Sequence, residues 1–242
     1  MVLCSLCVSR KRRYCHSRIE GGFDLKNFHF NNHPEIKEGQ HAIFAPSQKL
    51  LSRSELTPEQ LDNIIRSKYA AQIGTIIHAE AARMILQKKS VTKTKVADRI
   101  YDALWQANIP NKLNTPELYL DTVVPYIKDA IGFDMSPEQP IVYNYPIAFG
   151  TADCIRYNPV KHELRIHDLK TGKMAASLDQ LVEYAAYFFL EYHINPKDVS
   201  VILCIYQNGE ILTGLPKAPD ILPVMSRAVE LTKYVKNNYV EV

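Results

Sequence analysis

Apolar residues recur along this chain with two different periods, and turn-forming residues mark most of the changes between them. From Tyr69 to Leu86 small and apolar side chains fall at helical spacing, rich in alanine. Just upstream, Leu56-Thr57-Pro58-Glu59-Gln60 has the form of a helix start, with Thr57 as cap and Pro58 at the first helical position. Val91 to Ala107 and Pro116 to Ile131 give two more helical segments. The pattern then shortens. Pro146-Ile-Ala-Phe149 and Ala152 to Tyr157 are short apolar-rich runs, and Leu164 to Leu169 alternates as a half-buried strand does. Asn158-Pro-Val-Lys-His162 between the last two suits a hairpin. Helical spacing returns at Leu178 to Leu190, with apolar residues at 181, 182, 185, 188 and 189 and Ser177 or Asp179 to cap it. Val199 to Tyr206 reads as a buried strand, Gln207 to Glu210 as a turn, and Pro219 to Asn238 as a closing helix. Ile19 to Leu51 has weak periodicity, and no internal repeat is present. The order of elements predicts an α/β fold.

The chemistry-bearing residues sit at the ends of these elements. Gly150-Thr-Ala-Asp153 and His167-Asp168-Leu-Lys170 place two acids about one hairpin apart. Strand side chains alternate, so Asp168 and Lys170 share a face, and pairing of the strands brings Asp153 toward Asp168. Two carboxylates suit Mg²⁺, which takes hard oxygen ligands and keeps waters and phosphate oxygens. An ammonium beside them would stabilise negative charge or, with a depressed pKa, help to deprotonate a water. Gln180 and Tyr184 are four apart on one helical face and could address a phosphate or order the attacking water. His78 projects from the small-residue helix and could complete the metal site, favouring Mn²⁺, while Gly74 one turn earlier allows a close approach. Each residue also has an ordinary reading. A strand-end Asp is commonly solvated, Tyr184 could be a core aromatic, His78 a buried histidine, and Glu80 solvated or paired. Lys173 reads as a surface cation.

Taken together, Gly74-x-x-x-His78, Gly150-x-x-Asp153, Asp168-x-Lys170-Thr-Gly and Gln180-x-x-x-Tyr184 resemble the RecB-type branch of the PD-(D/E)XK nuclease superfamily, in its motif order, over residues 65–206. The resemblance implies a restriction-endonuclease-like αβββαβ core, with a mixed sheet flanked by helices and a helical insertion at about 91–132. It implies His78, Asp153, Asp168 and the Leu169 carbonyl as ligands of one or two Mg²⁺ or Mn²⁺ ions. Lys170 would be the catalytic lysine, with Gln180 and Tyr184 as the motif particular to this branch. Relatives often carry a glutamate on the preceding strand. Glu138 is the candidate, although Pro137 and Pro140 suggest a strand entry there. The implied activity is metal-dependent hydrolysis of DNA, as an exonuclease in recombination, repair or phage genome processing. The alternatives are a structure- or sequence-specific endonuclease, a catalytically silent nucleic-acid-binding module and, more distantly, a hydrolase of small phosphoesters.

Composition adds bounds. The length suits one compact domain over 21–242, preceded by a basic tail over 1–20. A net charge of +3 does not demand nucleic acid, but a local basic groove would suffice. No apolar run is long enough to span a bilayer, and the short apolar opening precedes its basic cluster rather than following one, so an intracellular, cytoplasmic setting is expected. Cys4, Cys7 and Cys15 with His16 offer a small zinc site or a basic tail that touches phosphates. Cys154 and Cys204 read as buried small residues, which argues against an iron–sulfur cluster held from both ends of the domain. No Gly-x-x-x-x-Gly-Lys-Ser/Thr loop is present, so the chain has no helicase motor. It would act alone, as a homo-oligomer, or with an annealing or recombination protein. The 14 tyrosines could supply stacking platforms for bases, with nothing in the sequence to choose among them.

Overall fold

The computed structural model describes residues 56–172 and 174–239, together with 33–34, 46 and 49–50. The chain forms two compact units, 1–51 and 52–242, and the second carries every element discussed below. The readings placed on residues 1–20, with Cys4, Cys7, Cys15 and His16, and on Lys173 lie outside the described residues.

Helix α1 (Pro58–Gln87) opens on a full capping box. The Thr57 hydroxyl accepts from the Gln60 amide at 3.2 Å, and the Gln60 side chain accepts from the Thr57 amide at 3.0 Å. The predicted start at Thr57 and the alanine-rich stretch are therefore one helix, which ends where Lys88 turns left-handed. Helices α2 (Lys93–Gln106) and α3 (Leu120–Gly132) follow, as the segment between His78 and the sheet predicts. Pro125 lies inside α3 and leaves the Asp121 carbonyl without its intrahelical partner, yet the helix continues past it.

A five-stranded sheet comes next, in the order β1-β2-β3-β4-β5. Strands β1 (Ser136–Asn144), β2 (Ala148–Asn158) and β3 (Glu163–Lys170) form an antiparallel meander. Helix α4 (Asp179–Tyr192) then crosses over, so that β4 (Ser200–Gln207) pairs with β3 in parallel. Strand β5 (Glu210–Gly214) returns antiparallel on the edge, and α5 (Ala218–Tyr239) closes the chain. This is the α/β arrangement expected, a mixed sheet flanked by helices. Two details differ. The run at 146–149 is split, with Pro146 and Ile147 in the turn, and 148–149 join 152–157 in one strand because the ladder with β1 continues through Gly150 and Thr151. Strand β5 had no signal, because its side chains lie outside the core on an edge.

The sheet separates two cores. Ile77, Ile85, Ile100, Leu104 and Ile127 from α1–α3 pack on one face against Cys154, Leu169, Cys204 and Tyr206. On the other face Leu181, Ala185 and Phe189 of α4 cover Leu164, Ile166, Leu203 and Ile205. Both cysteines are buried small residues, as read, and burial pushes the Cys154 thiol up to about 12. Strands β3 and β4 are thus buried on both faces and hold their ends in fixed positions. No helix among the described residues is long and apolar enough to cross a membrane.

Candidate metal centre

Three acids meet across three strands. The ladder between β1 and β2 pairs Pro137 with Cys154 and Gln139 with Ala152, which leaves Glu138 facing Asp153. The ladder between β2 and β3 stops at Cys154 and His167, so Asp153 and Asp168 are the next residues across. The strands separate here, and polar side chains occupy the gap. Glu138 has φ 49°, a left-handed conformation uncommon for a residue other than glycine or asparagine. The distortion takes it out of the ladder and toward its neighbours, and such strain tends to collect at functional sites.

Helix α1 adds the imidazole. His78, Glu138 and Asp153 each offer one ligand atom within 4.8 Å of the others. The Nδ1 of His78 lies 3.4 Å from Oδ2 of Asp153. The same Oδ2 accepts the Leu169 amide at 2.8 Å, so the Leu169 N–H fixes Asp153 and its carbonyl, the atom the resemblance implies as a ligand, takes no part in that bond. Gly74 lets α1 come close, since a Cβ there would stand 2.9 Å from Oγ1 of Thr171, just past the Asp168-x-Lys170 motif. The residues Gly74, Thr75, His78, Ala79 and Glu138 line an open cleft of about 440 Å³.

Asp168 lies outside that 4.8 Å group. It is 4% exposed and turned to Lys170, whose Nζ donates to Oδ1 at 3.1 Å and sits 2.9 Å from Oδ2. The second contact is a charge contact without hydrogen-bond geometry, so Oδ2 is buried with no hydrogen bond. Lys170 also donates to Oε1 of Gln180 at 2.9 Å. Gln180 therefore holds the lysine, and Tyr184 holds the frame. The Tyr184 ring covers Gly150, where a Cβ would meet Cε1 at 2.8 Å, and its hydroxyl donates to the Thr151 carbonyl at 2.7 Å. The sequence gives no sign of Thr171 or Thr151 as contacts, because neither pairing is local. Ser177 does reach the start of α4, accepting from the Asp179 amide at 3.2 Å, although Leu178 occupies the cap itself.

The electrostatics follow from crowding. Burial and the Asp153 charge push Asp168 up to about 6, against the pull of Lys170 and His78. Burial and Asp153 likewise raise Glu138. Burial alone would lower His78, but the Asp153 hydrogen bond and the surrounding carboxylates outweigh it and raise it. Asp153 thus repels Glu138 on one side and Asp168 on the other, and a divalent cation would relieve that repulsion.

No protein-family model matches the chain, and no curated protein does.

The donor set then stands on its own chemistry. One imidazole nitrogen with carboxylate oxygens fits a hard to borderline divalent ion, and the hydrogen-bond-free Oδ2 of Asp168 is an acceptor beside it. An ammonium held at the edge of such a group fits an anionic substrate.

Proposed function

We propose that this protein is a Mg²⁺- or Mn²⁺-dependent nuclease that hydrolyses phosphodiester bonds in DNA, with a PD-(D/E)XK-type core of the RecB branch. One observation carries the reading. An imidazole from α1 and the acids Glu138 and Asp153 of two adjacent strands converge, next to Asp168 on the third strand and the lysine it shares with Gln180. His78, Asp153, Asp168 and the Leu169 carbonyl, with Glu138, would hold the ion, and the Leu169 amide fixes Asp153. A bound divalent ion would supply polarisation of the phosphate and a more acidic water.

The chain's own residues do the rest. Lys170 sets a positive charge where a scissile phosphate gains negative charge. Gln180 keeps that ammonium in place should Asp168 turn away from it. Tyr184 ties α4 to β2 beside Asp153, and so keeps Gln180 and the acids in register. Action from DNA ends, in recombination, repair or phage genome processing, is part of the proposal. So is work as a homo-oligomer or beside an annealing protein.

The test is a time course on end-labelled linear duplex beside a closed circle, with Mg²⁺, Mn²⁺ or EDTA. We expect loss of the linear DNA with metal only and a spared circle. Asp168→Asn and Lys170→Ala should each reduce the rate by at least about 100-fold, in the range of a lost catalytic group. Cutting of the circle would favour an endonuclease, and metal-independent binding without loss of substrate would favour a silent module.

A further inference from the structure

The face of the β1–β2 hairpin that holds the candidate metal centre does not end there. Gly150 faces Tyr184 and Ala152 packs in the α4 core, so Phe149 and Thr151 point to the opposite face, the one that carries Asp153. Their partners across the ladder are Val142 and Pro140, on the same side. Beyond Asp153 this surface is open. Pro140, Thr151 and Phe149 are all exposed, and none of the four floor residues carries a charge. At its far end stand two aromatic rings, Tyr145 at 74% and Phe149 at 52% exposure, with centroids 5.6 Å apart and a 41° tilt. The core does not require them there, since Ala148 between them supplies the buried contact.

We infer that Tyr145 and Phe149 form a stacking platform for the bases of the nucleic-acid strand whose phosphate enters the centre at His78, Glu138 and Asp153. The inference rests on the nuclease reading and adds to it where the strand lies. Phe149 and Asp153 are four steps apart on one strand, a run of about 13 Å at the usual rise. A few nucleotides of unpaired strand cover that distance along an uncharged floor. Bases stack on aromatic faces without regard to sequence, so the platform would grip any strand and register its sugar–phosphate chain against the metal centre. An aliphatic partner would have no use for paired π faces, and a duplex keeps its bases stacked within. The platform therefore favours an unpaired terminus.

The experiment compares wild type with Tyr145→Ala/Phe149→Ala on two substrates, a labelled single-stranded oligonucleotide and the small diester bis(p-nitrophenyl) phosphate, both with Mn²⁺. The double variant should raise KM for the oligonucleotide about tenfold or more, as loss of stacking does. Its hydrolysis of the small diester and its affinity for Mn²⁺ in calorimetry should stay unchanged. Tyr145→Phe/Phe149→Trp, which keeps both π faces, should restore the oligonucleotide KM, and Tyr145→Leu/Phe149→Leu should not. An oligonucleotide KM unchanged by the alanine pair, with wild type cleaving normally, overturns the platform and leaves the nuclease reading intact. A wild type that hydrolyses neither substrate overturns both. A leucine pair that restores KM overturns stacking as the cause.

Discussion

Two glycines show how single atoms set this site. At Gly150 the obstacle to a Cβ is an aromatic ring at 2.8 Å, which moves only if α4 moves. Gly150→Ala should therefore destabilise by about 1–3 kcal/mol, the usual cost of overpacking. It should also slow cleavage, because Gln180 rides on the same helix. At Gly74 the obstacle is one hydroxyl of Thr171. Alanine in a helix interior is worth about 1 kcal/mol over glycine, so the clash and the propensity oppose each other. Gly74→Ala should gain stability in a Thr171→Ala background and lose that gain in wild type. A denaturation cycle over the four proteins measures this, and additive effects would show that the two residues do not meet. Asp168→Asn acts at the same scale, on one buried carboxylate. It removes a buried like charge from beside Asp153, so the metal-free variant should melt no lower than wild type while its cleavage is lost. A variant that unfolds would instead make the Lys170–Asp168 pair a structural one.

Among the elements, the ones that announce themselves carry their own start signals and periods. Thr57-Pro58 and the alanine-rich stretch identify α1, and the alternation in Leu164–Leu169 identifies β3, because both signals are local. Strand β5 escapes because an edge strand outside the core needs no alternation. Strand β1 reads only as a strand entry because Pro137 and Pro140 lack the N–H of a strand interior, and they are tolerated here because β1 lies on the edge of the sheet. Long-range joints are equally silent. Asp134 pairs with Lys88 at the end of α1 and with Arg156 of β2, and those cations hold its carboxyl below the usual range. An acid depressed in the folded state stabilises above its unfolded pKa, and that contribution is lost as pH falls through the folded value. Asp134→Asn should thus lower the unfolding midpoint at pH 7, and the gap from wild type should close toward pH 3. A gap that stays constant with pH would mean the carboxylate charge is not what joins these elements.

At the scale of the molecule, the site is assembled from parts far apart in sequence, and a cation would tie them together. His78 comes from the helical layer, Glu138 and Asp153 from the meander, and Asp168 from the strand buried on both faces. The motif spacing identifies His78, Asp153, Asp168 and Lys170 as candidates, but only the ladder reveals that Glu138 faces Asp153 while Asp168 turns to Lys170. An ion bound by this set would hold α1 against the sheet and relieve the carboxylate repulsion, so it must bind the folded chain better than the unfolded one. Linkage then sets the size of the effect. Mn²⁺ at 100 times its Kd adds about 2.7 kcal/mol of stability. For a unit of this size that is a rise of about 5–10 °C in Tm. Mg²⁺ should act in the same direction, and EDTA should return the apo value. Glu138→Gln and His78→Ala should each shrink the Mn²⁺ shift, because each removes a donor from the group. Arg227→Ala, whose side chain on α5 pairs with Glu230, should leave it whole. If Mn²⁺ leaves the wild-type Tm where it was, the converged acids are not a metal site, and cleavage has to be sought in other residues.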